Sequence, residues 1–164
     1  MNALVSVSDK TDLIEFAIEL INLGWTIYAT EGTAKYLSSN GIPTKRLSEI
    51  TGLKESKQIK TLHPAVFERI YSGFFGIVVV NLYEVNEIGD IDIGGVALLR
   101  ASAKNYQKVL PICKPSQYQE VIKKLKSGNI NEDFRIRLAI EAFEYIVEYD
   151  SKIIEMLRRK SRNI

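Results

Sequence analysis

Residues 91–105, IDIGGVALLRASAKN, set a carboxylate, two glycines, an arginine and a lysine around an apolar, helix-like run. A carboxylate partnered with an amine can move protons, and an amine beside helix N–H groups can stabilise negative charge on an oxygen. Gly94 and Gly95 permit close backbone approach, and the helix that follows offers N–H donors. Ala97, Leu98 and Ala101 read as ordinary packing. One straight helix over 94–104 holds Asp92 and Lys104 roughly 15 Å apart at ~1.5 Å per residue. For one site to use both, the helix must end early and turn back, or a neighbouring subunit must supply one of them.

Hydroxyls and amines recur ahead of two other helices. SVSDK (6–10) places Ser6, Ser8 and Lys10 after a first strand, and ATEGT (29–33) sets a glycine between hydroxyls after a second. Exposed N–H groups, hydroxyls and a lysine are what a phosphate monoester needs. Ser8 and Thr30 serve equally well as helix caps, and both readings stand. In IKTLHPAVFERI (59–70) Pro64 starts a helix, which leaves Lys60, Thr61 and His63 in the preceding loop. A lone loop histidine is ordinarily a structural hydrogen-bonder, and an isolated lysine a solvated charge. VVVNLY ends on Asn81 and Tyr83, and a polar amide after three valines must pair locally or face a ligand.

The elements that must position these groups follow from periodicity. Extended segments are expected at 3–7, 25–30, 42–47, 75–83 and 108–112, the fourth being the most β-branched. A helix capped by Ser8 or Asp9 runs to Gly24 with Leu13, Phe16, Ala17, Leu20 and Ile21 on one stripe. Further helices are expected before Gly41, over 115–128, and from Asn131 to about Arg159. The β-α-β-α-β beginning, with buried-looking strands, indicates an α/β fold: a mainly parallel central sheet between helical layers.

The 164 residues suit one domain, 1–164, with 46% hydrophobic and 26% charged residues. A net charge of +2 is too mild to argue for nucleic acid. One histidine and one cysteine cannot build a zinc site of the usual type, and Cys113 reads as a buried structural thiol. There is no charged leader and no apolar run long enough to span a membrane, so a cytoplasmic protein is expected.

SVSDKT, GTAK, KTLHP, NLY and DIGGVALLRASAKN, in this order, closely resemble the inosine monophosphate (IMP) cyclohydrolase domain, the N-terminal half of a bifunctional purine-biosynthesis enzyme. The likeness runs from Leu4 to about Tyr149. It implies a methylglyoxal-synthase-like three-layer fold with a long C-terminal helix. It also implies closure of 5-formamidoimidazole-4-carboxamide ribonucleotide (FAICAR) to IMP with loss of water, by a stand-alone cyclohydrolase. The resemblance implies no metal or organic cofactor, a nucleotide as the small-molecule partner, and a homodimer. Phosphate and ribose contacts would fall on Ser8, Asp9 and Lys10, on Thr30, Glu31, Gly32 and Thr33, and on Lys60 and Thr61. Val80 and Asn81 would line the base. Tyr83, Asp92, Ile93, Gly94 and Lys104 would surround the reacting groups, Lys104 moving the proton, Asp92 partnering it and Lys60 orienting the substrate.

The sequence departs from that family at several points. Gln58 stands where an arginine is usual, removing a bidentate phosphate donor, and Glu31 replaces a glycine, so its carboxylate must point away from the anion. NLYEV lacks a proline, Tyr106 replaces a histidine, and the loops around 71–74 and 84–90 are short. Two alternatives share the fold: a regulatory domain that binds a nucleotide without chemistry, and methylglyoxal synthase.

Overall fold

The structure of the protein, a computed structural model, describes residues 1–53 and 61–162. Five strands, β1 (Asn2–Val7), β2 (Thr26–Ala29), β3 (Thr44–Arg46), β4 (Phe75–Asn81) and β5 (Leu110–Ile112), form one sheet in the order β3-β2-β1-β4-β5. Every neighbouring pair is parallel. The helices are α1 (Leu13–Asn22), α2 (Glu31–Ser39), α3 (Ser48–Thr51), α4 (Pro64–Ser72), α5 (Gly94–Lys104), α6 (Tyr118–Ser127) and α7 (Glu132–Ser161).

Side-chain alternation along β1 and β4 divides the core in two. Ala3, Val5, Val7, Ile77 and Val79 face α1, α2 and α6, meeting Leu13, Phe16, Leu37 and Val121. Leu4, Val78 and Val80 face α4, α5 and α7, meeting Ile70, Leu98, Leu99 and Ile146. Two buried faces explain why the strands read as unbroken apolar runs. Helix α7 serves both layers: Phe134 and Leu138 pack in the first cluster, Ala139 to Tyr149 in the second. Its thirty residues start from Asn131, whose side chain accepts the Phe134 N–H.

Several boundaries differ from the sequence expectation. Helix α1 starts at Leu13, after Asp12 in a left-handed conformation (φ 55°), and neither Ser8 nor Asp9 caps it. Ser8 is held by Asn81 instead, and the exposed Asp9 carboxylate accepts from the Thr11 hydroxyl. Strand β4 stops at Asn81 because the Leu82 N–H leaves the sheet and donates to the Tyr145 hydroxyl.

Candidate active site

The chain winds outward from β1 through β2 to β3 and then returns to the other side of β1 as β4. The carboxyl ends of β1 and β4 therefore flank the point where the winding reverses, which is where open α/β sheets hold ligands. Val7 and Asn81, the last residues of these strands, are register partners.

Asn81 pairs locally. Its Oδ1 accepts the Ser8 N–H at 2.6 Å, the Ser8 hydroxyl at 2.9 Å and the Asp9 N–H at 2.8 Å, while Nδ2 donates to the Asp9 carbonyl at 2.8 Å. The residue expected to line a base is thus the clamp that shapes the 8–12 loop. Val80, 1% exposed within the core, supports the strand end and does not line a cavity with its side chain. Lys10 is half-buried; its Nζ donates to the Val7 carbonyl at 3.1 Å and lies 5.5 Å from the centre of the Tyr36 ring. Burial pushes its amine below the usual lysine range, against the opposing pull of Asp9. The Asp9 carboxyl is held low by hydrogen bonds from the Thr11 hydroxyl and N–H, with Lys10 helping.

The first turn of α2 faces the same strand ends. Gly32 and Thr33 contribute first-turn N–H groups that have no acceptor within the helix. A Cβ on Gly32 would meet nothing within 4 Å, so this backbone is open to a ligand. The Thr33 hydroxyl is bracketed against Val7, 3.3 Å from both its N–H and its carbonyl, and Thr30 spans from Ser6 (3.4 Å) to Thr33 (3.5 Å). Glu31 pairs with Arg46 at the end of β3 at 3.3 Å, which draws its carboxylate aside as an anion site at this turn requires.

On the opposite side of β1, α5 opens against Thr61 and Asp92. A Cβ on Gly94 would lie 2.5 Å from the Thr61 hydroxyl, and one on Gly95 would lie 2.7 Å from Asp92 Oδ2 and 2.8 Å from a Leu82 methyl. Close approach, not a left-handed backbone, is what requires this glycine pair. Asp92 caps the helix: its Oδ1 accepts the Gly95 N–H at 2.7 Å. The Asp92 N–H in turn donates to the Tyr149 hydroxyl at 2.7 Å. Tyr145 and Tyr149, one turn apart on α7, thus pin the two ends of the 82–92 segment. Burial raises both phenols, and the N–H each accepts opposes the rise.

That segment divides two clefts. One, of ≈600 Å³, is bordered by Ser6, Thr61, Asp92, Ile93 and Gly94. The other, of ≈890 Å³, runs from Ser8 along α7 to Lys152 and Arg159. Tyr83 borders both. His63 is the structural hydrogen-bonder the sequence suggests, accepting the Ala65 N–H at 3.2 Å to cap α4. Lys60 and Gln58 lie outside the described residues.

Lys104 is not brought to this place. Helix α5 is uninterrupted from Gly94 to Lys104, so ten rises of ~1.5 Å put the lysine about 15 Å away. It is exposed at the opposite end of the sheet, with its Nζ 5.9 Å from the Tyr71 ring centre. An early end to the helix is therefore excluded. The sequence reading missed Tyr145 and Tyr149 as parts of the site. The signal that could have found them is that a phenol on a buried helix face needs a hydrogen-bond partner.

Among the described residues no cluster of three or more His, Cys, Asp or Glu side chains is placed to hold a metal ion, and no helix is long and apolar enough to cross a membrane. A third groove, of ≈670 Å³, lies between α1 and α6 over the stacked Phe16 and Tyr118 rings, apart from the strand ends.

Comparison with known proteins follows these features closely. The MGS-like domain family matches residues 12–111, and the AICARFT/IMPCHase bienzyme family matches residues 102–164. The bifunctional purine biosynthesis protein PurH of Staphylococcus carnosus is 36% identical over 185 aligned residues, spanning 94% of this chain and 38% of that protein. PurH of Macrococcus caseolyticus is 38% identical over 182, spanning 93% of this chain and 37% of that protein. The chain thus spans well under half the length of these curated relatives. The crystal structure of ForH superposes with a TM-score of 0.88 at 28% identity, covering 96% of both chains.

Proposed function

The chain belongs to the MGS-like domain family, and on that premise we propose that it is an IMP cyclohydrolase of purine biosynthesis, closing FAICAR to IMP with loss of water. One observation carries the proposal beyond family likeness. Lys10, the open first turn of α2, Thr61 and the Asp92–Gly94 corner converge on the carboxyl ends of β1 and β4. The match to the AICARFT/IMPCHase bienzyme family and the relatives named as bifunctional purine biosynthesis proteins support this reading.

The chemistry uses these groups as follows. The phosphate sits between the Lys10 amine and the Gly32 and Thr33 N–H groups, where cation and helix dipole both favour an anion. The carboxamide nitrogen is a poor nucleophile, so folding the substrate until it meets its own formyl carbon supplies much of the acceleration. Attack forms a C–N bond and places negative charge on the formyl oxygen, which the N–H groups at the start of α5 stabilise. The carboxamide nitrogen then gives up one proton and the formamido nitrogen the other as the ring C=N bond forms; the former formyl oxygen gains both, its C–O bond breaks, and it departs as water. Asp92 and a Lys104 supplied by a neighbouring subunit exchange the protons, Tyr83 holds the substrate by hydrogen bond, and Lys60 orients it.

The test is incubation of the purified chain with FAICAR, following the absorbance of IMP. A folded protein giving no rate above spontaneous closure refutes the proposal. A second reading, nucleotide binding without catalysis, is favoured by the distance of Lys104 from Asp92 within one chain. Calorimetry showing IMP binding without turnover would establish it.

A further inference from the structure

Parity along β3 puts an arginine beside the open turn of α2. Val5, Ala29 and Arg46 stand in register across β1, β2 and β3, and residues in register share a face of the sheet. Val5 and Ala29 belong to the face packed on α1, α2 and α6, so Arg46 leaves the sheet toward α2. Its neighbours alternate onto the other face: the Lys45 amine lies 5.5 Å from the centre of the Tyr28 ring, and Leu47 is buried in the second cluster. The backbone here is anchored on both sides. The Leu47 N–H donates to the Ala29 carbonyl at 2.8 Å, and the Arg46 N–H to the Glu49 carboxylate at 2.8 Å. Ala29 immediately precedes Thr30, the residue from which α2 starts.

Lys10 reaches the same turn from the opposite flank. Its Nζ lies 5.5 Å from the centre of the Tyr36 ring of α2, while Arg46 pairs with Glu31, the first residue of α2, at 3.3 Å. Two strand spacings of ~4.8 Å separate β1 from β3, so the two cations rise from strands about 10 Å apart with the first turn of α2 between them. An exposed ion pair such as Arg46–Glu31 contributes little to stability. Stability therefore does not account for a carboxylate kept at a turn whose N–H groups and lysine favour an anion. A guanidinium resolves that conflict, because its planar fork of N–H donors can hold a carboxylate along one edge and a phosphate along another.

We propose that Arg46 is a phosphate-binding residue of the nucleotide site, bridging Glu31 and the phosphate monoester, so that Glu31 positions the guanidinium instead of opposing the ligand. The inference rests on the nucleotide site of the proposed function and needs no catalysis. Lys10 and Arg46 then hold the phosphate from both sides of α2. Two cations and the positive end of the helix outweigh the one carboxylate.

Calorimetry of the full chain with IMP, and with inosine, which lacks the phosphate, tests this in the wild type, Glu31→Gln, Arg46→Ala and the double variant. In the Glu31→Gln background, Arg46→Ala should weaken IMP binding about tenfold, as expected for one lost hydrogen bond to a charged group. Inosine binding should not change. In the wild-type background the same replacement should weaken IMP binding further, because the Glu31 carboxylate then faces the phosphate unneutralised. Both side chains are exposed, so urea midpoints should stay near the wild-type value. If Arg46→Ala weakens binding only while Glu31 is present, the arginine merely neutralises its partner and the proposal falls. Equal losses for IMP and inosine overturn it as well. A chain that binds IMP with an affinity indifferent to Arg46 overturns this inference alone; a wild-type chain that binds no IMP overturns the nucleotide reading with it.

Discussion

Asn81 shows how much of this site depends on a single amide. Replacing it by leucine keeps the volume but leaves the Ser8 and Asp9 N–H groups without their acceptor. These donors are only part-buried, so each lost acceptor costs less than a fully buried one, and Asn81→Leu should lower unfolding stability by about 2 kcal/mol in urea titrations. Asn81→Asp keeps the acceptor oxygen and should lose only about 1 kcal/mol. Lys10 makes a prediction in pH. Its amine is held below the ordinary lysine range by burial, and only the protonated form attracts a phosphate. Nucleotide affinity measured by calorimetry should therefore begin to fall, as pH rises, before an unperturbed lysine would titrate, and Lys10→Arg should remove that alkaline fall. Cys113 is inert for the related reason that burial pushes its thiol up to about 12. Iodoacetamide at neutral pH should label it only after the protein is unfolded.

At the scale of elements, the glycine pair at the start of α5 and the tyrosine pair on α7 fix the 82–92 segment from two sides. Gly95→Ala would drive a methyl into Asp92 and Leu82, at a cost of about 1–3 kcal/mol from overpacking. Its more telling effect should be a displaced Asp92, read as lost turnover in a protein that remains folded by circular dichroism. Tyr149→Phe removes the acceptor of the Asp92 N–H and leaves the ring. Hydrogen exchange at that amide should quicken, while the amides of β4 keep their protection. Both residues act by positioning, so FAICAR turnover should fall more than phosphate binding, which α2 and Lys10 hold separately.

At the scale of the molecule, the parallel sheet fixes which loops meet. The order β3-β2-β1-β4-β5 gathers the turns after β1 and β4 at one place, although their ends lie 74 residues apart in the chain. The same architecture sends α5 back along the sheet and carries Lys104 to the far edge. A cyclohydrolase that pairs Lys104 with Asp92 must draw the lysine from a second copy, so its specific activity should fall on dilution. Dilution assays paired with sedimentation would measure activity and association together.

Local pattern was enough to mark the helices and strands, because alternation, stripes, glycine stops and the proline before α4 are properties of short segments. It also marked the turns of SVSDK, ATEGT and DIGG as unusual, since their residue types have no purpose in a plain packed face. Only the tertiary structure decided that Asn81 grips the loop beside it, that Asp92 caps a helix, that Glu31 is drawn to Arg46, and that Tyr145 and Tyr149 hold backbone with their hydroxyls. The contacts of Asn81, Tyr145 and Tyr149 join residues dozens of positions apart, and no periodicity records which donor will meet which acceptor. The straightness of α5 belongs to the same class: the sequence allowed it to end early, and packing of Leu98, Leu99, Ser102 and Ala103 against the core settled that it does not.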